Sequence, residues 1–293
     1  VSEVPARTAP VCPRHPERIS YLACQRCGRP TCPECQIPAP VGFHCRDCMQ
    51  QAQPTAVQRS RFGGVVTPGT RVTFTLMALC AVIYLLQRIF PQVSEMGEFS
   101  AQLGLAQPWR FLTSAFLHSE TDVMHLIFNL AGLYVMGQFL EPLLGRARFI
   151  ALYLLSAVGG SVGYLLLAAA PVSHGSFAAW TQTMVGASGA VFGLFGAAIV
   201  VLVRTGSSVR GMLFLVAINL ALPLIYPNIA WQAHLGGLLV GLACAAVLVW
   251  TGPAQRRRWS WPGLIFIGCV ILGAAVLKYA LVLDAYLGLR YGV

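Results

Sequence analysis

From Val72 onward the chain is a series of long apolar runs separated by short polar gaps. A helix needs about 20 predominantly apolar residues to cross the hydrocarbon of a bilayer. Seven runs approach that length, at about 72–90, 123–143, 147–170, 186–203, 209–226, 231–250 and 262–283. They predict an all-α polytopic protein of the cell membrane. Ahead of them the pattern is polar throughout. Residues 1–50 are rich in Cys, Pro and Arg and predict a small separate domain. Residues 51–70 carry Gln, Pro, Arg and Gly with no apolar period and predict a linker on the inner membrane face. The expected organisation is a head at 1–50, a linker at 51–70, a six-helix core at 71–251, and a basic loop with a seventh helix at 252–293.

Composition strengthens this picture. Of the 293 residues, 56% are hydrophobic and only 10% are charged, whereas soluble domains carry about 25% charged residues. The net charge of +10 raises nucleic acid as a partner, but the basic residues form no stripe with interleaved aromatics, so none is expected. They fall instead in the head, the linker and alternate loops: Arg59, Arg61 and Arg71; Arg146 and Arg148; Arg204 and Arg210; Arg256 to Arg258. The 171–185 and 227–230 loops hold no Lys or Arg. Cytoplasmic loops are the basic ones, so the N-terminus is expected in the cytoplasm and the C-terminus outside. The first residues lack a basic start followed by an apolar core, which agrees with a cytosolic head.

Seven of the ten cysteines lie between Cys12 and Cys48, in the pairs Cys12-x2-His15, Cys24-x2-Cys27, Cys32-x2-Cys35 and Cys45-x2-Cys48. Two ligands separated by two residues chelate a tetrahedral ion, and zinc prefers such thiolate and imidazole sets. Eight ligands suit two structural zinc ions. A disulfide framework is the competing reading, disfavoured where thiols stay reduced. His44 could replace Cys45 as a ligand, although the x2 spacing favours Cys45. A segment this short cannot bury an adequate core, so metal would supply its folding energy. No metal is expected in catalysis. Such heads serve protein contacts, so a cytosolic protein partner is expected.

Within the apolar runs a few polar residues stand out. Ser188 lies in Gly186-Ala187-Ser188-Gly189, and His234 in Ala233-His234-Leu235-Gly236-Gly237. A lone membrane Ser usually bonds its own backbone, and a lone His often makes an interhelical contact. Together they form the smallest set for nucleophilic acyl transfer, with Ser188 as nucleophile and His234 as general base and acid. His125 and Asn129 lie four residues apart and share a helix face, as expected of oxyanion donors, and the Ser188 N–H would add a third. Gly189, Gly193 and Ala197 on one run, and Ala233, Gly237 and Gly241 on the other, would let the two helices approach closely. No acidic residue accompanies the Ser–His pair in these runs, so an Asp-completed triad is not expected. The 91–122 stretch, with Trp109-Arg110-Phe111-Leu112, predicts a loop lying partly in the membrane. Nothing suggests the charged midplane sites or repeats of a transporter.

Trp109-Arg110, His125-x3-Asn129, Gly186-Ala187-Ser188-Gly189 and Ala233-His234-x2-Gly237, in that order over about 71–250, resemble the rhomboid family of intramembrane serine proteases. The resemblance implies a six-helix core, here with a seventh helix, and a Ser–His dyad in a water-filled cavity. It also implies cleavage of membrane-anchored protein substrates near the outer face of the lipid bilayer. It implies that Glu141 and Arg110 are structural partners in holding loop and helices. Phe192 departs from the family, where Tyr is common; the ring can still pack on His234. The alternative is a catalytically inactive rhomboid-like binder or trafficking factor. The head resembles a B-box-like or cross-brace finger of the type found on actinobacterial rhomboids. That implies Cys12, His15, Cys32 and Cys35 around one ion, and Cys24, Cys27, Cys45 and Cys48 around the other.

Overall fold

The computed structural model describes residues 9–52, 58–169, 177–226 and 229–291. The chain divides into two units, with the boundary between Val57 and Gln58. The first unit holds two short antiparallel pairs, β1 (Val11–Cys12) with β2 (His15–Ile19) and β3 (Gln36–Pro38) with β4 (Phe43–Cys45), followed by α1 (Arg46–Ala52). Its buried clusters consist of cysteines: Cys12, Cys32 and Cys35 in one, Cys24, Cys45 and Cys48 in the other. Among its described residues no aliphatic side chain is buried, as its length predicts.

The second unit is helical. Its elements are α2 (Arg71–Ile89), α3 (Gln92–Gly97), α4 (Arg110–Thr113), α5 (Val123–Leu144), α6 (Arg146–Leu167), α7 (Phe177–Thr181), α8 (Ser188–Thr205), α9 (Arg210–Ala221), α10 (Trp231–Trp250) and α11 (Ser260–Tyr291). Among the described residues, six helices are long and apolar enough to cross a membrane: α2, α5, α6, α8, α10 and the stretch Arg257–Leu283 that contains most of α11. The protein is a multi-pass membrane protein.

Two expectations are corrected. The run at 209–226 forms a shorter apolar helix, Arg210–Leu224. Its regular α part ends at Ala221, and Pro223 sits in a closing 3-10 turn. Proline has no N–H to continue an α-helix, and 12 residues span only about 18 Å. The segment 58–70 is not a free linker. Phe62 is buried in the membrane unit's core, Ser60 Oγ donates to the Leu143 carbonyl, and Arg59 pairs with Val65 in a β-bridge. One aromatic side chain in a polar run is enough to dock it.

Three helices, α6, α8 and α10, form the centre. α10 packs along both others through glycines. A Cβ on Gly160 would lie 3.1 Å from the Ala233 carbonyl oxygen and 3.2 Å from Gly189 Cα. A Cβ on Gly237 would overlap the Gly189 carbonyl, and one on Gly241 the Gly193 carbonyl. Side-chain-free contacts of this kind give membrane helices their closest packing. The ridge on α6, Gly159, Gly160 and Gly163, escaped the sequence reading although Val158-Gly159-Gly160-Ser161-Val162-Gly163 announces it.

α2 is held differently. Its first N–H groups need partners that the helix itself cannot supply. Buried Glu141 on α5 accepts from Val72 N at 3.1 Å, Thr73 N at 2.8 Å and Thr73 Oγ1 at 2.7 Å. A carboxylate at a helix N-terminus also meets the positive end of the dipole. α11 is fastened to α6, where Lys278 Nζ donates to the Leu166 and Ala168 carbonyls at 3.2 and 3.0 Å.

Candidate active site

Ser188 opens α8 and is half-buried. The chain reaches it through Gly186, whose φ of 130° is rarely open to a side chain and whose missing Cβ leaves room for His125 Nε2, 2.7 Å from where that atom would sit. Ser188 Oγ lies 3.6 Å from the same point, so His125 and Ser188 flank one glycine. Gly186 N donates to the Ser114 carbonyl at 2.9 Å, and Phe99 and Met184 exchange backbone hydrogen bonds at 3.1 and 2.7 Å. The 91–122 loop thus braces the segment that presents Ser188. The first N–H groups of α8 have no acceptor within their own helix.

His234 lies in the first turn of α10 and is buried. Its ring stacks on Phe192 with centroids 4.1 Å apart and planes 9° from parallel. Phe192 is one helical turn beyond Ser188. One residue before His234, the Ala233 carbonyl oxygen is 3.3 Å from the position of a Cβ on Gly189, the residue after Ser188. The helices carrying the two residues therefore meet at backbone distance beside both of them. His234 Nδ1 is buried without a hydrogen-bond partner. Among the described residues no carboxylate orients the ring through that atom; the Phe192 face stacks on it instead.

His125 Nδ1 accepts from Ser119 N at 3.3 Å, which leaves Nε2 on the Gly186 side. Asn129, also buried, donates from Nδ2 to the His125 carbonyl of its own helix at 2.7 Å. A primary amide has two N–H bonds, so one remains for a further acceptor.

Two residues that the sequence pattern did not single out, His118 in the loop and Gln87 on α2, also lie here. His118 is fully buried, and its ring lies 5.4 Å from that of His125. Burial, helped by the His125 charge, pushes its pKa down to about 4, so it is neutral at physiological pH. Gln87 at the end of α2 exchanges hydrogen bonds with the His118 backbone, both at 3.0 Å. Arg110 ties the loop to itself, donating to the Glu98 and Glu95 carbonyls at 2.6 and 2.7 Å and to Gln107 Oε1 at 2.5 Å. Arg110 and Glu141 are therefore not the partners expected from the sequence: each is satisfied by backbone and side-chain groups near it, Arg110 in the loop and Glu141 at the start of α2.

In the head, the eight predicted ligands gather into two groups, Cys12, His15, Cys32 and Cys35, and Cys24, Cys27, Cys45 and Cys48. All donor atoms in each group lie within 4.8 Å of one another. His15 Nδ1 is 3.3 and 3.4 Å from Cys32 and Cys35 Sγ, and Cys27 and Cys45 Sγ are 3.8 Å apart. A tetrahedral ion with metal–sulfur bonds of about 2.3 Å has edges of about 3.8 Å between its sulfurs. The donor sets fit metal ions. The Cys32 peptide N–H draws the Cys12 thiol down to about 6, toward the thiolate a metal requires. Arg29 donates to Cys27 Sγ at 3.3 Å and approaches Cys45 Sγ at 3.8 Å, placing a positive charge beside the four-sulfur group. His44 belongs to neither group.

The structure is thus a polytopic helical protein with a serine at one helix start, a histidine on the neighbouring helix stacked against the serine's helix, and a loop bracing the segment before the serine. The family profile for the Rhomboid domain matches residues 105–251, and the chain belongs to the rhomboid family. It is 33% identical over 150 residues to RHOMBOID-like protein 6, mitochondrial, of Arabidopsis thaliana, covering 49% of this chain and 44% of that protein. It is 30% identical over 145 residues to Rhomboid protease GluP of Bacillus subtilis, covering 48% and 26%. It is 27% identical over 209 residues to Rhomboid protease AarA of Providencia stuartii, covering 61% and 73%. The chain spans about half or less of the length of the first two relatives.

Proposed function

We propose that the chain is an intramembrane serine protease that cleaves membrane-anchored proteins by a Ser188–His234 dyad. The observation that carries this reading is the Phe192–His234 stack one turn from Ser188, on helices in backbone contact at Gly189 and Ala233. In the reaction Ser188 Oγ attacks the scissile carbonyl while His234 takes its proton through Nε2, since Nδ1 is enclosed. The same imidazole returns the proton to the leaving amine. Water then attacks the acyl-serine with His234 again as base. The Ser188 N–H, His125 Nε2 and the second Asn129 N–H stabilise the oxyanion.

Cleavage occurs near the outer face. Ser188 and His234 begin their helices, whereas Arg204 and the Arg256–Arg258 run lie at or beyond the opposite ends of the same helices. Basic ends face the cytoplasm. The head stays cytoplasmic, its two clusters hold structural zinc, and it contacts a cytosolic protein partner. The relatives named as proteases support the activity.

Purified protein in liposomes is expected to cut a transmembrane reporter. Ser188→Ala and His234→Ala should each abolish cutting with the helical content unchanged. Cutting by either variant at the wild-type rate would discard the dyad. A wild-type chain that binds reporters without cutting them would point to the non-enzymatic binder.

A further inference from the structure

The ends of the helices that carry the basic loops hold a cluster the catalytic reading does not use. The turn Ser60–Gly64 closes on itself, with Ser60 N bonded to the Gly64 carbonyl at 2.8 Å and Gly63 N to the Ser60 carbonyl at 2.9 Å. Three arginines converge on it. Arg59 Nη1 donates to the Gly63 carbonyl at 3.1 Å. Arg148, buried at the start of α6, donates to the Phe62 carbonyl at 2.5 Å and to Ser260 Oγ at 2.9 Å. Arg257 donates to the Gly252 carbonyl at 3.4 Å. Arg148 Nη1 and Arg257 Nε each lie 3.0 Å from the point where a Cβ on Gly63 would sit.

Three cations gathered on one turn repel one another, and Arg257 and Arg59 both act on the Arg148 charge. Among the described residues none of the three is ion-paired with a carboxylate. Glu141, the carboxylate on neighbouring α5, is engaged by α2. Among the described residues Arg257 Nε is buried with no hydrogen-bond partner. Neutral carbonyls satisfy some guanidinium protons but leave the charge uncompensated. An anion with several acceptor oxygens would supply what is missing, and a phosphate suits guanidinium forks.

The surroundings favour a lipid source. Trp250, Trp259 and Trp261 are all about half exposed around the same joint, with Arg256 over the Trp250 ring at 5.3 Å and Arg258 over Trp259 at 5.6 Å. Tryptophan and arginine in this arrangement mark the headgroup level. Ile265 and Phe266 on the next turns of α11 are exposed, as acyl-chain contact requires.

We propose that Arg59, Arg148 and Arg257 bind the phosphate of an anionic phospholipid, which fastens the 58–70 segment, α6 and the start of α11 together. The full chain in neutral detergent is titrated with phosphatidylglycerol, with phosphatidylcholine of the same acyl length, and with inorganic phosphate. Thermal midpoint and retained lipid by native mass spectrometry are read. Phosphatidylglycerol is expected to raise the midpoint and remain bound, and the other two are not. Arg257→Gln should lose the shift measured from its own baseline, whereas Arg204→Gln, on a separate basic loop, should keep it. Should Arg257→Gln fail to fold, Arg59→Gln, whose side chain is exposed, carries the same expectation. Equal shifts with phosphatidylcholine, a full shift with inorganic phosphate alone, or an undiminished shift in the variant read would overturn the proposal.

Discussion

The head and the membrane unit both fold around polar groups, in opposite surroundings. In residues 9–52 the buried side chains are largely the cysteines of the two groups that could hold metal ions. Without ions in those groups, little would offset the entropy of ordering some 40 residues. In residues 58–291 the interior is dense with leucine, phenylalanine and glycine contacts, and the polar groups that matter are few and individually fixed. Ser188 is fixed by a helix start, His234 by an aromatic face, Glu141 by three donors. Perturbing the head should act on the whole domain at once, whereas perturbing the membrane unit should act locally unless a helix contact is broken.

Chelation gives the widest contrast. Structural zinc in small fingers is worth roughly 10–16 kcal/mol, so stripping metal from the full chain should erase amide protection in the head and leave the membrane helices protected. Hydrogen exchange reads both at once; loss of protection in both units, or in neither, breaks the distinction. Next comes the glycine seam. Gly237→Leu drives a side chain into the Gly189 carbonyl, and overpacking of this kind costs about 3 kcal/mol or more. The variant should lower the unfolding midpoint and end reporter cleavage, because Ser188 and His234 ride on the separated helices. Glu141→Gln removes a charge that three donors share, and should cost about 2 kcal/mol in thermal unfolding while retaining most cleavage. The smallest effect is at Phe192. Its stack on His234 is worth about 0.5–1.5 kcal/mol, so Phe192→Ala should slow cleavage by roughly two- to tenfold, and Phe192→Tyr should restore it.

What the sequence made legible follows the same division. The ligand pairs of the head stand out because chelation demands short fixed spacing, whereas their grouping into two sets was implied only by the resemblance to a cross-brace finger. Ser188, His234, His125 and Asn129 stand out because each is polar within an apolar run. Features created by contact were hidden. Gln87 reads as a stray polar residue at a helix end until the His118 backbone is seen against it. The α6 glycines look ordinary until α10 lies on them. Phe62 looks like part of a linker because one buried ring leaves no period. The run at 209–226 has the composition of a span, and only the 3-10 turn at Pro223 shows where its α-helix stops.

The central claim is that His234 activates Ser188, and covalent capture tests it most directly. Membrane-reconstituted protein is treated with a fluorophosphonate probe, and the adduct is located by peptide mapping. An adduct on Ser188 in the wild-type chain, lost in His234→Ala, is the predicted result. Absence of a Ser188 adduct, or equal labelling with and without the imidazole, would contradict it.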